Sequence, residues 1–307
     1  MPSVLGQRSL GSRAFDTANY IAFFLISLTF IYPFWTIIMQ SFSPAEDIYR
    51  LGFHLLPRTF TTEAWGYAFE RERVLLAYFN TILRVVGGTA WTLFVTLTGA
   101  YALARRDLPL RRTLTTLYIL TLFFSGGLIP TYLLVRGLGL INSRLILILS
   151  MGGPLVLGVN VFYIIIARNF LMTIDQAMED SAVIDGASYW KVLWYIITPL
   201  SRPVIAVIAL WSAVAHWNGW FDAMIYAADK DLRVLQLLIR DLLAALRSDE
   251  LERYRQELLA AGIVFELFPP EAVQAATIAL TVGPIILLYP FLQKYFVKGV
   301  MLGSLKG

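Results

Sequence analysis

The side chains best able to do chemistry stand together in MEDSAVIDGASYWKVLWYIITPL, residues 178–200. Glu179, Asp180 and Asp185 there precede Gly186 and a run of aromatic residues. Carboxylates this close have three uses. A metal or general acid–base site needs them to converge with histidines or another base in a pocket. The two histidines, His54 and His216, are remote from the stretch in sequence. A solvated acidic turn needs nothing more. A docking element for a soluble partner needs the charges held on a short rigid helix. The spacing yields no catalytic set and no metal site. With no cysteine in the chain, disulfides, zinc–thiolate centres and thiol nucleophiles are excluded as well.

The elements that must hold this stretch are apolar. The chain is 58% hydrophobic, against about 45–50% for a soluble domain, so lipid is the main solvent expected. A net charge of +4 makes no case for nucleic acid. The N-terminal residues are polar through Asp16, which does not read as a cleaved signal peptide. Six windows reach the roughly 20 apolar residues that a bilayer-crossing helix needs: 18–40, 76–104, 113–135, 145–167, 203–221 and 275–296. They do not alternate as barrel strands would. Backbone in lipid must bond internally, so the sequence predicts an all-α polytopic membrane protein with six spanning helices. Residues 1–17 form an N-terminal segment, 18–297 the spanning domain and 298–307 a tail.

Lys and Arg set the orientation, and in a six-span layout their raw counts tie between the two sides. The short connection ARRDLPLRR carries four Arg beside two span ends, which places both termini in the cytoplasm. Gly87-Gly88, Gly126-Gly127 with Pro130, Gly152-Gly153-Pro154 and Gly283-Pro284 fall in the windows. They read either as close helix packing or as bends lining a changing cavity.

Locally, Thr173 and Gln176 have the spacing of a capping box that starts a short helix. Gly186 would end it as a left-handed residue. Ser188 would cap a second helix with Trp190, Leu193, Trp194 and Ile197 on one face, and Pro199 would close it. The result is an acidic and an aromatic helix at an angle, on the cytoplasmic side. Residues 222–273 read as a polar outer loop. A helix there carries Leu232, Leu235, Leu238, Ile239, Leu242 and Leu246 on one stripe, and a second contains Leu251, Tyr254 and Leu258. Candidates for a substrate path are Trp211, Ser212, His216, Trp217 and Asn218, with Asn80, Arg84 and Asn160 as polar residues in or beside spans. Trp at the outer end is also ordinary interface chemistry. Arg84 would serve an acidic sugar or pair with a neighbour.

At 180–199 the pattern resembles the cytoplasmic "EAA" loop of permease subunits in binding-protein-dependent ABC importers. That loop reads E-A-A, three residues, G, nine residues, then I-x-L-P. Asp180, Ser181 and Ala182 stand at its first positions, Gly186 at the glycine, and Ile196 and Pro199 at its end. Asp180 replaces the usual Glu and Thr198 the usual Leu. FFSGGLIPTYLLVRGLGLINS, IDGAS, WNGWFDAMIY, LQLLIRDLL and YPFLQKYFVKGVMLGSLKG are similar to the carbohydrate-uptake branch, in particular its oligosaccharide importers, so the likeness covers nearly the whole chain from the first span.

The resemblance implies a type I ABC importer permease fold in a bacterial inner membrane. The loop 173–199 would be a coupling helix, with Glu179, Asp180, Ser181, Ala182, Asp185, Gly186, Ala187 and Pro199 as its ATPase-coupling residues. The implied partners are a second, related permease, two cytoplasmic ATPases, an extracytoplasmic solute-binding protein that meets the outer loop, and an oligosaccharide, including acidic ones of the alginate type. The chain has no G-x-x-x-x-G-K-[ST] phosphate loop, so no cofactor is expected on it, and ATP and Mg would be used by the partner ATPase. An ion-coupled secondary transporter would need buried carboxylates, and no Asp or Glu falls inside the six windows. A membrane enzyme would need a catalytic set that the sequence lacks.

Overall fold

Backbone that enters lipid has to bond to itself, and among the described residues every regular element is helical. The computed structural model describes residues 10–48, 55–70, 74–124, 126–150, 159–246 and 271–284. These form two compact units.

The first unit holds α1 (Leu10–Ser41), α2 (Ala45–Ile48), α3 (Glu63–Glu70) and most of a helix at 271–284, α15. In α1, hydroxyls that would be costly in lipid bond back to the helix: Ser27 donates to the Phe23 carbonyl and Thr29 to that of Leu25. Ala64 of α3 packs on Ala272 and Ala276. The Trp65 indole stacks on Phe42 and donates to the Ser41 hydroxyl.

The second unit is organised on α4 (Val74–Ala104), which α12 (Arg202–Asn218), α8 (Val161–Leu171) and α7 (Arg144–Leu149) pack against. One apolar cluster joins Ala100 and Leu103 of α4 to Ile164 and Ala167 of α8 and Ile208 of α12. A second joins Val135 of α6 (Leu128–Gly137) to Ile146, Leu147, Tyr226 and Val234. The remaining elements are α5 (Arg111–Leu120), α9 (Gln176–Ile184), α10 (Tyr189–Val192), a π turn at Leu193–Ile197, α11 (Thr198–Leu200), α13 (Phe221–Tyr226), a 3-10 turn at Lys230–Leu232 and α14 (Leu235–Leu246).

The six windows do not become six uninterrupted helices. Among the described residues two helices are individually long and apolar enough to cross a membrane, Gly11–Ser41 and Val74–Ala104. The 113–135 window divides into α5, which ends at Leu120, and α6, which starts after Gly127 at a φ of +85°. In the 145–167 window α7 stops at Leu149 and Asn160 caps a new helix. The 203–221 window ends at Asn218 and a separate helix starts at Phe221. Two further helix pairs qualify as spans only when joined across a sharp bend. Val161–Leu171 and Gln176–Ile184 meet at 82°, and Tyr189–Leu200 and Arg202–Asn218 at 85°.

The glycine pairs resolve differently. Gly126-Gly127 marks a break, whereas Gly87-Gly88 sits in unbroken helix and serves close approach. A Cβ on Gly88 would lie 2.4 Å from His216 Cε1 on α12. Residues 152–154 lie outside those described, and at Gly283 a Cβ would meet nothing within 4 Å.

Gly88→Ala should therefore lower stability by about 1–3 kcal/mol, the usual cost of overpacking, read as the denaturant midpoint of the purified protein in detergent. A second change, His216→Ala, vacates the space the new methyl needs and should restore most of the loss. No restoration would show that the imidazole is not what holds position 88 to glycine.

Candidate functional site

α9 is built as a rigid piece. Asp175 is its N-cap, and its carboxylate accepts the Ala177 N–H at 3.0 Å. The expected Thr173–Gln176 capping box does not form. Thr173 still belongs to the turn leaving α8, and its hydroxyl donates to the Phe170 carbonyl at 2.7 Å. At the other end Ala187 N–H reaches the Ala182 carbonyl at 2.9 Å and Gly186 N–H that of Val183 at 3.0 Å, with Gly186 at φ +81°. This is the Schellman closure that the glycine predicts. A Cβ on Gly186 would meet nothing within 4 Å of this chain, so the demand for glycine here is conformational.

The acidic stretch is divided between two faces. Asp180, Ser181, Asp185 and Gly186 are exposed, while Ala182 and Ala187 are half-buried against the inner cluster. Ile184 is 84% exposed, and Met178 and Val183 are also open. Ile184 lies beside the outward Asp180, with Met178 and Val183 to either side of the helix, and sequence spacing singled out none of the three. Glu179 turns inward. Its Oε1 accepts the Tyr101 hydroxyl at 2.7 Å and lies 3.6 Å from Arg105 Nη1. Arg105 also pairs with Asp107 and stacks on the Tyr189 ring at 3.5 Å. That guanidinium holds the Asp107 carboxyl below the usual carboxylate range. A cleft of about 440 Å³ opens between these residues and α9.

The second helix departs from expectation. Ser188 stands at the N-cap without a side-chain cap bond. Leu193 and Ile197 are buried, but Trp190 and Trp194 are exposed, so the predicted single face is not formed. A π turn follows: Pro199 brings no N–H to the ladder, and Thr198 reaches five residues back to the Leu193 carbonyl with both its N–H and its hydroxyl. Pro199 lies exposed within α11 and does not end the helix. The chain turns at buried Ser201 instead.

A buried polar cluster occupies the face of α4 that carries Asn80, Thr81 and Arg84. Arg84 is fully buried and ion-pairs with Asp222, also buried, while its Nη1 donates to the Gly219 carbonyl at 3.0 Å. The Ser150 hydroxyl donates to the same Asp222 oxygen. The Asn80 amide donates to the carbonyls of Asp231 and Arg233 at 2.8 and 3.0 Å, and the Leu235 N–H donates to the Thr81 hydroxyl.

Arg84 therefore pairs with a neighbour and is not free for an acidic sugar. Asp222 is not in a polar loop: α13 buries it with Ala223 and Tyr226. A lone Arg in an apolar span was the signal that a buried acid existed, but its partner lay one residue beyond a window edge. Leu232, Leu235, Leu238 and Ile239 are buried as their stripe predicts. The expected second helix, with Leu251, Tyr254 and Leu258, lies outside the described residues.

The other substrate-path candidates separate. Asn160 is spent as the α8 cap, accepting the N–H groups of Phe162 and Tyr163. Trp211 sits 6.0 Å from the rings of both Phe162 and Tyr163. Ser212 and His216, one turn apart on α12, are buried without a side-chain hydrogen-bond partner among the described residues, as is the Trp217 indole N–H. Asn218 is exposed.

The chain matches the family model described as "Binding-protein-dependent transport system inner membrane component" over residues 97–302. It is 38% identical over 301 residues to Protein LplC of Bacillus subtilis (strain 168), covering 96% of each chain. It is 35% identical to the polygalacturonan/rhamnogalacturonan transport system permease protein YtcP of the same organism, covering 96% of this chain and 99% of that one. Among solved structures it resembles a chain of a bacterial ABC transporter involved in the import of the acidic polysaccharide alginate. That match has a TM-score of 0.80 and 29% identity, over 96% of this chain and 100% of the other.

Removing one partner of the buried pair strands a charge. Asp222→Ala should cost about 3–5 kcal/mol, read as loss of folded protein on heating followed by size-exclusion chromatography. Arg84→Met combined with Asp222→Ala should cost less than Asp222→Ala alone. If the two losses instead simply add, the pair is not coupled.

Proposed function

The chain belongs to the family of inner membrane components of binding-protein-dependent transport systems, and we propose that it forms the membrane pathway for an acidic oligosaccharide in an ATP-driven importer. As a transport permease it carries no catalytic set among its candidate residues. A second, related permease completes the pathway, two cytoplasmic ATPases drive it, and a solute-binding protein delivers the sugar on the outer side. Both termini lie in the cytoplasm, as does the loop 173–199. ATP and Mg belong to the ATPase partner.

One observation carries this reading. α9 is a short, doubly capped helix set at 82° to α8, and it presents Asp180, Ile184 and Asp185 outward. Such a body suits a groove on a partner that closes and opens. Its apolar residues bury against the groove, and Asp180 and Asp185 face basic side chains there. A flexible loop would absorb the same displacement. Asp is a methylene shorter than the family's usual Glu, so the partner's cation must approach position 180 more closely.

For the sugar, the acidic chemistry comes from what the relatives are named for, alginate in one and polygalacturonan/rhamnogalacturonan in another. Within this chain the aromatic group of Trp211, Phe162 and Tyr163 suits sugar faces, and the buried Ser212 and His216 suit hydroxyls. Arg84 is already neutralised by Asp222, so charge recognition falls to other residues or to the partner permease. The alternative, an ion-coupled transporter, gains one feature that the sequence did not offer, a buried carboxylate at Asp222. That carboxylate is held by Arg84 and Ser150, which leaves it ill suited to exchange a proton.

The test is a pull-down of the tagged chain from its native membranes, with mass spectrometry of what co-elutes. The wild type should bring down an ATPase and a second permease. Asp180→Ala and Gly186→Leu should lose the ATPase while keeping the permease. Uptake that persists without ATP, with the chain recovered alone, would establish the ion-coupled reading in its place.

A further inference from the structure

The acidic stretch contains a carboxylate that the docking role does not use. Asp180 faces out, but the Glu179 side chain is only 21% exposed and is directed into its own protein. It accepts the Tyr101 hydroxyl at 2.7 Å and sits 3.6 Å from Arg105, both at the C-terminal end of α4. Arg105 is itself fixed on two more sides, by Asp107 and by the face of Tyr189 at the start of α10. Glu179 is thus the point where α9 is tied to α4 by charge-assisted bonds, and these are shorter-ranged and more directional than the apolar contacts of Ala182 and Ala187.

α4 is the element for which such a tie matters. It is a single helix of 31 residues, about 46 Å long at 1.5 Å per residue, and α12, α8 and α7 pack along it. Its other half holds the 219–235 segment through three polar side chains. Arg84 bonds Gly219 and Asp222, Asn80 bonds the carbonyls of Asp231 and Arg233, and Thr81 bonds the N–H of Leu235. Arg84 and Tyr101 are about 25 Å apart along the axis. A displacement of α9 that is held at Tyr101 therefore reaches the far segment through one rigid rod.

We propose that Glu179 is a positioning residue of the transport stroke. It latches the coupling helix to α4 through Tyr101 and Arg105, so that movement imposed on α9 is delivered to α4 and to the segment 219–235. This deepens the function proposed above and rests on it. The role differs in kind from that of Asp180. The outward carboxylate governs whether the ATPase is bound, and the inward one governs whether its motion is transmitted.

The experiment uses the assembled importer in lipid vesicles, with uptake and ATP hydrolysis measured on the same sample. Glu179→Ala and Tyr101→Phe should each retain the ATPase and keep basal hydrolysis within about twofold. Uptake per ATP should fall about ten- to a hundredfold, the range for losing a hydrogen bond to a charged group. Glu179→Gln keeps an acceptor for Tyr101 but loses the ion pair, and should fall between the wild type and Glu179→Ala. Adding Tyr101→Phe to Glu179→Ala should lower uptake per ATP no further, because the hydroxyl acts through the carboxylate.

Three results would overturn the proposal. Unchanged uptake per ATP in Glu179→Ala is one. Loss of the ATPase from that variant is another, since it would make Glu179 a docking residue. Less assembled protein with normal uptake per ATP is the third, since it would reduce the contact to fold stability. Absence of an ATPase from the wild-type preparation would refute the functional reading, and the latch with it, whereas the three results above overturn the latch alone.

Discussion

A guanidinium inside an apolar helix cannot shed its charge, and the second unit is arranged around satisfying the one at Arg84. An isolated buried cation is far too costly to keep, so a carboxylate and a carbonyl must come to it. Asp222 supplies the first and Gly219 the second, from a segment distant in sequence. To reach Arg84 the chain must leave α12 at Asn218 and start α13 at once, which is why the fifth apolar window does not continue as one helix. α12 must also lie close against α4, and Gly88 provides that approach beneath His216. Ser150, the residue that ends α7, adds its hydroxyl to the same carboxylate. One ion pair thus gathers the ends of α7 and α12 and the start of α13.

Much of this was legible in the sequence as type and little of it as junction. Helical class followed from the length of the apolar windows, and the left-handed turn at Gly186 from a single glycine after a short acidic run. The exposure of Asp180 and Asp185 followed from charge. Hydropathy averages over a window, however, and does not register where a helix stops for a hydrogen bond. The break at Asn160 was invisible for that reason, the one at Gly127 was legible only as one reading of a glycine pair, and the one at Ser201 was placed two residues early, at Pro199. The partner of Arg84 was missed because it stands 138 residues away, beyond any local pattern. Periodicity grouped Trp190 and Trp194 with Leu193 and Ile197, but it does not say which side of that stripe meets the core, and the two tryptophans are the exposed side.

Neighbouring carboxylates at 179 and 180 could not be told apart by composition. A helix rotates about 100° between successive residues, so two adjacent acids cannot both face the same way. On α9 the apolar contacts of Ala182 and Ala187 decide the rotation. They turn one acid toward Tyr101 and leave the next one outward. Charge spacing showed that the stretch was special, and the small residues Ala182 and Ala187 decided which acid faces where.

The distribution of stiffness follows from the same bonds. α9 is closed at both ends, by the Asp175 cap and by the Schellman turn at Gly186, so it moves as a body. α4 runs unbroken past its glycine pair, because Gly87 and Gly88 are spent on packing against Ile148 and His216 and not on bending. Between rigid pieces lie two near-right-angle turns, one leading from α8 into α9 and one at Ser201. The second follows a π turn, in which Thr198 bonds five residues back to the Leu193 carbonyl. Stiff helices joined at near-right-angle corners keep their length under load, so a displacement of one rod changes the angle at a corner before it changes the rod.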